Sequence, residues 1–159
     1  MAAAGAYDAE REREAELRAR ELMRSCVNHD EWAMYEAHGL IRVYGQASRS
    51  PTRGTRAAGR AYGYLIYPHK PLVGYLVDSG RLLGEYCVAF GGPRLPAADD
   101  VLAKWLALRA DERALIASAN VHPIGSQLDP ARVRRDLERL AVWERDAVGS
   151  VWSGELQRL

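Results

Sequence analysis

The chain has 159 residues, of which 48% are hydrophobic and 27% charged, with a formal net charge of +1. That is enough to bury one core and too little for two full domains, and the balanced charge gives no global case for a nucleic-acid or membrane partner. No apolar run approaches the roughly 20 residues a bilayer-spanning helix needs, and the opening MAAAGAYDAERERE is too acidic and too poor in apolar residues for a signal peptide, so a cytoplasmic protein is expected.

From Asp8 to Val27, strong helix formers place Ala15, Ala19, Leu22, Met23 and Cys26 on one stripe, with Glu14–Arg18 and Glu16–Arg20 as i,i+4 pairs in the favourable orientation. The stretch AEREREAE has almost nothing to bury, so it reads either as a solvated helix end or as a docking helix for a partner chain. Asn28 is the expected N-cap of a short second helix, with Glu31 able to close a capping box, Trp32 and Tyr35 on one face and Gly39 as the left-handed stop. Leu40–Gly45 then forms a first strand.

The segment Gln46–Arg60 has the composition of an exposed loop and is longer than most connections in compact domains. It belongs to a window, Ala37–Val77, that contains no Asp or Glu and six cations (Arg42, Arg49, Arg53, Arg56, Arg60 and Lys70), leaving −5 for the rest of the chain. Period-two alternation follows. Tyr62, Tyr64 and Ile66 alternate with Gly63, Leu65 and Tyr67; Val73, Tyr75 and Val77 alternate with Leu72, Gly74 and Leu76; and Leu83–Val88 continues after the turn Asp78-Ser79-Gly80. These segments give an antiparallel meander of three or four strands.

Pro96 and the acidic pair Asp99-Asp100 open a helix carrying Val101, Leu102, Trp105, Leu106 and Leu108. Asp111 recaps a second helix that buries Leu115, Ile116 and Ala119 and stops at Asn120, after which Val121-His122-Pro123-Ile124-Gly125 reads as a loop. Asp129-Pro130 starts a last helix, with Val133, Leu137, Leu140, Ala141 and Val148 on its stripe and Gly149-Ser150 as its end. The tail holds Trp152, Leu156 and Leu159 near helical spacing. The organisation expected is a charged helix over 1–27, an α+β domain over 28–125 with two helices over one face of the sheet, and a C-terminal helix and tail over 126–159.

Signals for chemistry are sparse. Four histidines, His29, His38, His69 and His122, share no metal spacing with one another or with a cysteine or carboxylate. Phosphate-loop, dinucleotide-binding and serine-hydrolase motifs do not occur, and no cofactor is expected. The best enzymatic constellation is His69, held between Pro68 and Pro71, with Tyr86, Cys87, Asp99 and Asp100. Cys26 and Cys87 are expected as buried reduced thiols.

Several of these residues carry a resemblance. Glu31-Trp32, Tyr35-Glu36 and Gly39, then Val43, Gly45, Tyr64 and Tyr86-Cys87, then Pro96, Asp99-Asp100, Leu102-Ala103, Leu106, Leu108, Asp111-Glu112 and Ala119-Asn120 resemble a group of small, mostly uncharacterised proteins of high-GC bacteria and their phages. The resemblance covers roughly Met23 to Asn120 and implies a helix, a small antiparallel sheet and covering helices, with no catalytic residue to carry over. The Arg49–Arg60 loop and the Asp129–Leu159 extension depart from it.

The function expected is a non-enzymatic protein-interaction or assembly component, a subunit of a larger complex, with Leu22, Met23, Trp152 and Leu156 as candidate contacts to a protein partner or a second copy. The alternative is a nucleic-acid binder acting through residues 37–77, with Arg49, Arg53, Arg56, Arg60, Tyr62, Tyr64 and Lys70 as contacts to the anionic partner.

Overall fold

The computed structural model describes residues 2–46, 61–91 and 94–156. In chain order these form α1 (Ala2–Cys26), α2 (His29–His38), β1 (Ile41–Tyr44), β2 (Tyr62–Ile66), β3 (Leu72–Leu76), β4 (Leu82–Cys87), α3 (Ala97–Ser118), β5 (Asn120–His122) and α4 (Pro130–Leu156). The class is α+β, as expected, and the strands make one antiparallel sheet in the order β1-β2-β3-β4-β5. There are five strands rather than three or four. The additional one, β5, falls where the sequence reads as a loop: Val121 lies opposite Tyr86 and His122 opposite Glu85. Three residues are too few to show an alternation, so pairing with β4 alone defines the strand.

Alternation sends Ile41, Val43, Tyr64, Ile66 and Leu72 to one face, where they pack with Ala19, Met23 and Val27 from the α1 end and with Val101, Leu102, Trp105 and Leu108 of α3. Leu65, Tyr67, Val73 and Tyr75 point the other way, against Leu128, Val133 and Leu140 at and along α4. The sheet is therefore covered on both faces, not on one. Leu65, Ile66, Leu72 and Val73, on two of the three inner strands (β2 and β3), are completely buried, so both alternating sets of these strands face apolar packing.

The packed side of α1 runs through Glu16, Ala19, Met23 and Val27, about a sixth of a turn from the middle of the expected stripe. Two polar contacts fix that rotation. Glu16 accepts from the Ala98 amide at 3.3 Å, capping the start of α3, and Arg20 lies over the rings of Trp32 and Tyr35 at 5.2 and 5.4 Å. As a result Leu22 and Cys26 are exposed while Met23 is fully buried, so Met23 is a core residue and not a partner contact, and Cys26 is not a buried thiol. Cys87 is half-buried.

Asn28 caps α2 as expected, accepting from the Glu31 amide at 2.8 Å, and Gly39 ends it at φ 70°, donating to Tyr35 O. Glu31 does not close the capping box. Its carboxylate turns inward and accepts from Trp105 Nε1. In α3 the recapping at Asp111 appears as a kink, with Asp111 at φ −156° and its side chain accepting from the Ala114 amide at 2.9 Å. α4 runs through the expected stop at Gly149-Ser150, since a glycine costs a helix only about 1 kcal/mol. Ala141, expected on its buried stripe, is exposed, whereas half-buried Asp136 takes the Tyr67 hydroxyl at 2.7 Å.

His38 joins α2 to α4, its ring edge-on to Trp143 at 5.7 Å. Both ring nitrogens are buried without a hydrogen-bond partner. Burial, helped by Arg139 and opposed by Asp136, holds its pKa below the usual 6.5. Folding thus favours the neutral imidazole, and its contribution to stability is present above the ordinary value and lost as pH falls through the depressed one. Urea midpoints should drop between about pH 7 and pH 5, and His38→Phe, which keeps the edge-on ring, should remove that part of the drop.

Candidate functional site

Val101, Trp105, Leu108, Glu112 and Leu115 recur at four- and three-residue steps along α3, so they share the face turned to the sheet. Glu112 occupies an apolar slot in that stripe and is only 7% exposed. Three donors satisfy it: the hydroxyls of Tyr62 and Tyr64 reach Oε1 at 2.7 and 2.8 Å, and the Gln46 amide reaches Oε2 at 2.5 Å. The kink at Asp111 loosens the helical ladder at this turn, and Gln46 Nε2 donates to the carbonyls of Leu108 and Arg109 at 3.3 and 3.2 Å. One carboxylate and one carboxamide thus bind the end of β1, the start of β2 and the bend of α3 together.

The Tyr62 ring lies directly over Gly45, where any Cβ would collide with it. Tyr62 and Tyr64 meet edge-on at 5.8 Å, and Tyr64 meets Tyr86 at 6.1 Å. Burial, with the Glu112 hydrogen bond and charge, drives the Tyr64 pKa upward, so the phenol stays protonated and remains a donor. Outside this knot lies a cleft of about 530 Å³ lined by Gln46, Tyr62, Tyr64, Glu112, Arg113, Ile116 and Ala117. Apart from Arg113 at its rim, its polar groups are engaged with one another, and the remaining wall is ring faces and aliphatic carbon.

The residues singled out from the sequence are dispersed. Arg49, Arg53, Arg56 and Arg60 lie outside the described residues. Tyr62 is half-buried in the cleft wall, and Tyr64, 6% exposed with its hydroxyl spent on Glu112, is a core residue that only borders the cleft. Lys70 is exposed; its carbonyl accepts from buried Lys104. Arg42 pairs with Glu144 of α4, which balances one cation of the acid-free window. Leu22 is exposed on α1, whereas Trp152 and Leu156 fall in the last turns of α4 with side chains outside the described residues.

His69 does meet Asp100, but through its backbone N–H at 2.8 Å, at a turn where it adopts φ 57°. His122 lies opposite Glu85, whose carboxylate is taken by the amides of Gly125, Gln127 and Leu128. Among the described residues, no group of three histidine, cysteine or acidic side chains is placed to hold a metal ion.

Among the described residues, sequence reasoning missed the buried charges Glu31, Glu85, Lys104 and Glu112. The signal existed for Glu112, an acid at an apolar position of the α3 stripe, and for Lys104, three residues after Val101 and four before Leu108.

Compared with known proteins, the chain matches no protein-family model, no curated protein and no solved structure.

Glu112→Ala leaves the buried Tyr64 hydroxyl and the Gln46 backbone amide without their acceptor, so it should lower unfolding stability by about 2–4 kcal/mol, against about 1 kcal/mol for Tyr64→Phe. Urea denaturation of both variants measures the difference.

Proposed function

We propose that this chain acts as a protein-interaction or assembly component. The observation that carries the reading is the first half of α1, where every residue from Gly5 to Glu14 is exposed. Its contacts are local, such as Arg13 Nε to Ala9 O at 3.4 Å and Arg11 over Tyr7 at 5.9 Å. A helical stretch of that length with nothing to pack against is marginal in water, and exposed charge pairs such as Glu14–Arg18 add only a few tenths of a kcal/mol. A partner that covers the helix supplies the missing burial. The exposed apolar side chains Tyr7, Leu17 and Leu22 on α1 provide what such a partner would grip.

Sedimentation of the purified chain should show self-association, or cross-linking from α1 should recover one defined protein. Either result should be lost in the triple variant Tyr7→Ser, Leu17→Ser, Leu22→Ser. A monomer that yields no cross-linked partner refutes the reading.

A second reading, a nucleic-acid binder acting through residues 37–77, is favoured by one specific observation. Gln46 and Tyr62, which bracket the stretch that carries Arg49, Arg53, Arg56 and Arg60, are both fastened to Glu112. The two anchors of the stretch that carries the four arginines thus meet at one carboxylate. Retention on RNA or DNA should fall steeply with salt and weaken when these arginines are replaced by Ser; absence of binding at low salt removes it.

A further inference from the structure

The side of α1 that faces away from its own domain carries an ordered set of charges. Glu10, Arg13, Leu17, Glu21 and Arg24 follow one another at steps of three, four, four and three residues, the spacing that keeps side chains on one stripe of a helix. All five are exposed, Leu17 to 62%, and Leu17 at the centre lies about a third of a turn or more from buried Ala19 and Met23. Among the described residues, none of the four charges in the stripe forms a salt bridge within its own chain.

The stripe is symmetric in spacing about Leu17 and antisymmetric in charge. Arg13 and Glu21 stand four residues to either side of it, and Glu10 and Arg24 seven residues to either side. A second α1 laid alongside in the opposite direction, with Leu17 against Leu17, sets Arg13 against Glu21 and Glu10 against Arg24, and the two-fold axis makes each pair twice. Laid in the same direction, it sets glutamate on glutamate and arginine on arginine at every position, which like-charge repulsion disfavours. A partner surface of one sign would face two of the four charges with their own kind. The opposed copy matches all four. It also lays the uncovered half of each helix, with Glu10 and Arg13, beside the half of the other that is packed on its domain through Ala19 and Met23.

We propose that α1 pairs antiparallel with α1 of a second copy of this chain, about a two-fold axis at Leu17. This rests on the reading of the chain as an interaction component and names the partner. The apolar contact is one pair of leucines with the aliphatic stems of the arginines around it, and the ion pairs are solvated, so the dimer is weak and loosens as salt rises.

Sedimentation of the full chain should show a monomer–dimer equilibrium that shifts toward monomer with added salt. The double variant Glu10→Arg, Glu21→Arg puts arginine against arginine at every charged contact and should weaken dimerisation by about tenfold or more. Adding Arg13→Glu and Arg24→Glu restores opposite signs throughout and should recover the dimer. All four positions are exposed, so the fold tolerates the exchanges, and an unchanged circular dichroism spectrum checks this. In a Cys26→Ser background under a thiol oxidant, Leu17→Cys should join two chains covalently, whereas Leu22→Cys, displaced along both helices from the axis, should not. A monomer at every concentration and salt overturns the proposal; a foreign protein then cross-linked from α1 would leave the interaction reading standing without it. Self-association that the double variant leaves intact, that the fourfold variant fails to recover, or that does not join through position 17 also overturns it and assigns the contact to another surface.

Discussion

A small sheet buried on both faces has little room for polar groups within it, so the chain fixes its connections with buried charges where strands and helices meet. Glu112 gathers the end of β1, the start of β2 and the bend of α3. Lys104 and Asp100 hold the turn between β2 and β3 through the carbonyls of Tyr67 and Lys70 and the amide of His69. Glu85 shapes the link between β5 and α4 by accepting three backbone amides. A buried charge is tolerated when its bonds are made and costly when they are not, so each anchor specifies one arrangement of its connection. Glu31 departs from this pattern because half of its carboxylate is left over.

Much of the scaffold was legible because it follows from local periodicity and caps. Alternation placed the three central strands, Asn28 and Gly39 bounded α2, and Asp111 marked the bend in α3. What could not be read was settled by long-range packing. Nothing local in Asn120–His122 says that it pairs with β4, and nothing in the α1 stripe says whether Met23 or Leu22 turns inward, since both fit a helical face. Glu16 and Arg20 decide that rotation through partners more than ten residues away.

The candidate site was less legible than the fold. Tyr62 and Tyr64 stood out as aromatic strand residues, but their common partner lies about fifty residues later, in a helix where an isolated acid reads as part of a cap. Pairing tyrosine hydroxyls with a buried glutamate changes what those residues offer. Their hydroxyls turn to one carboxylate, and the rings border the cleft.

Glu112 has one further consequence. Because Gln46 and Tyr62 are clamped to the same carboxylate, Glu112 brings the two ends of the chain segment between them to one point. Closing a longer segment across fixed ends costs only about 0.6 kcal/mol for each doubling of length. A change of length between those two anchors is therefore cheap in chain entropy as long as both ends stay on Glu112.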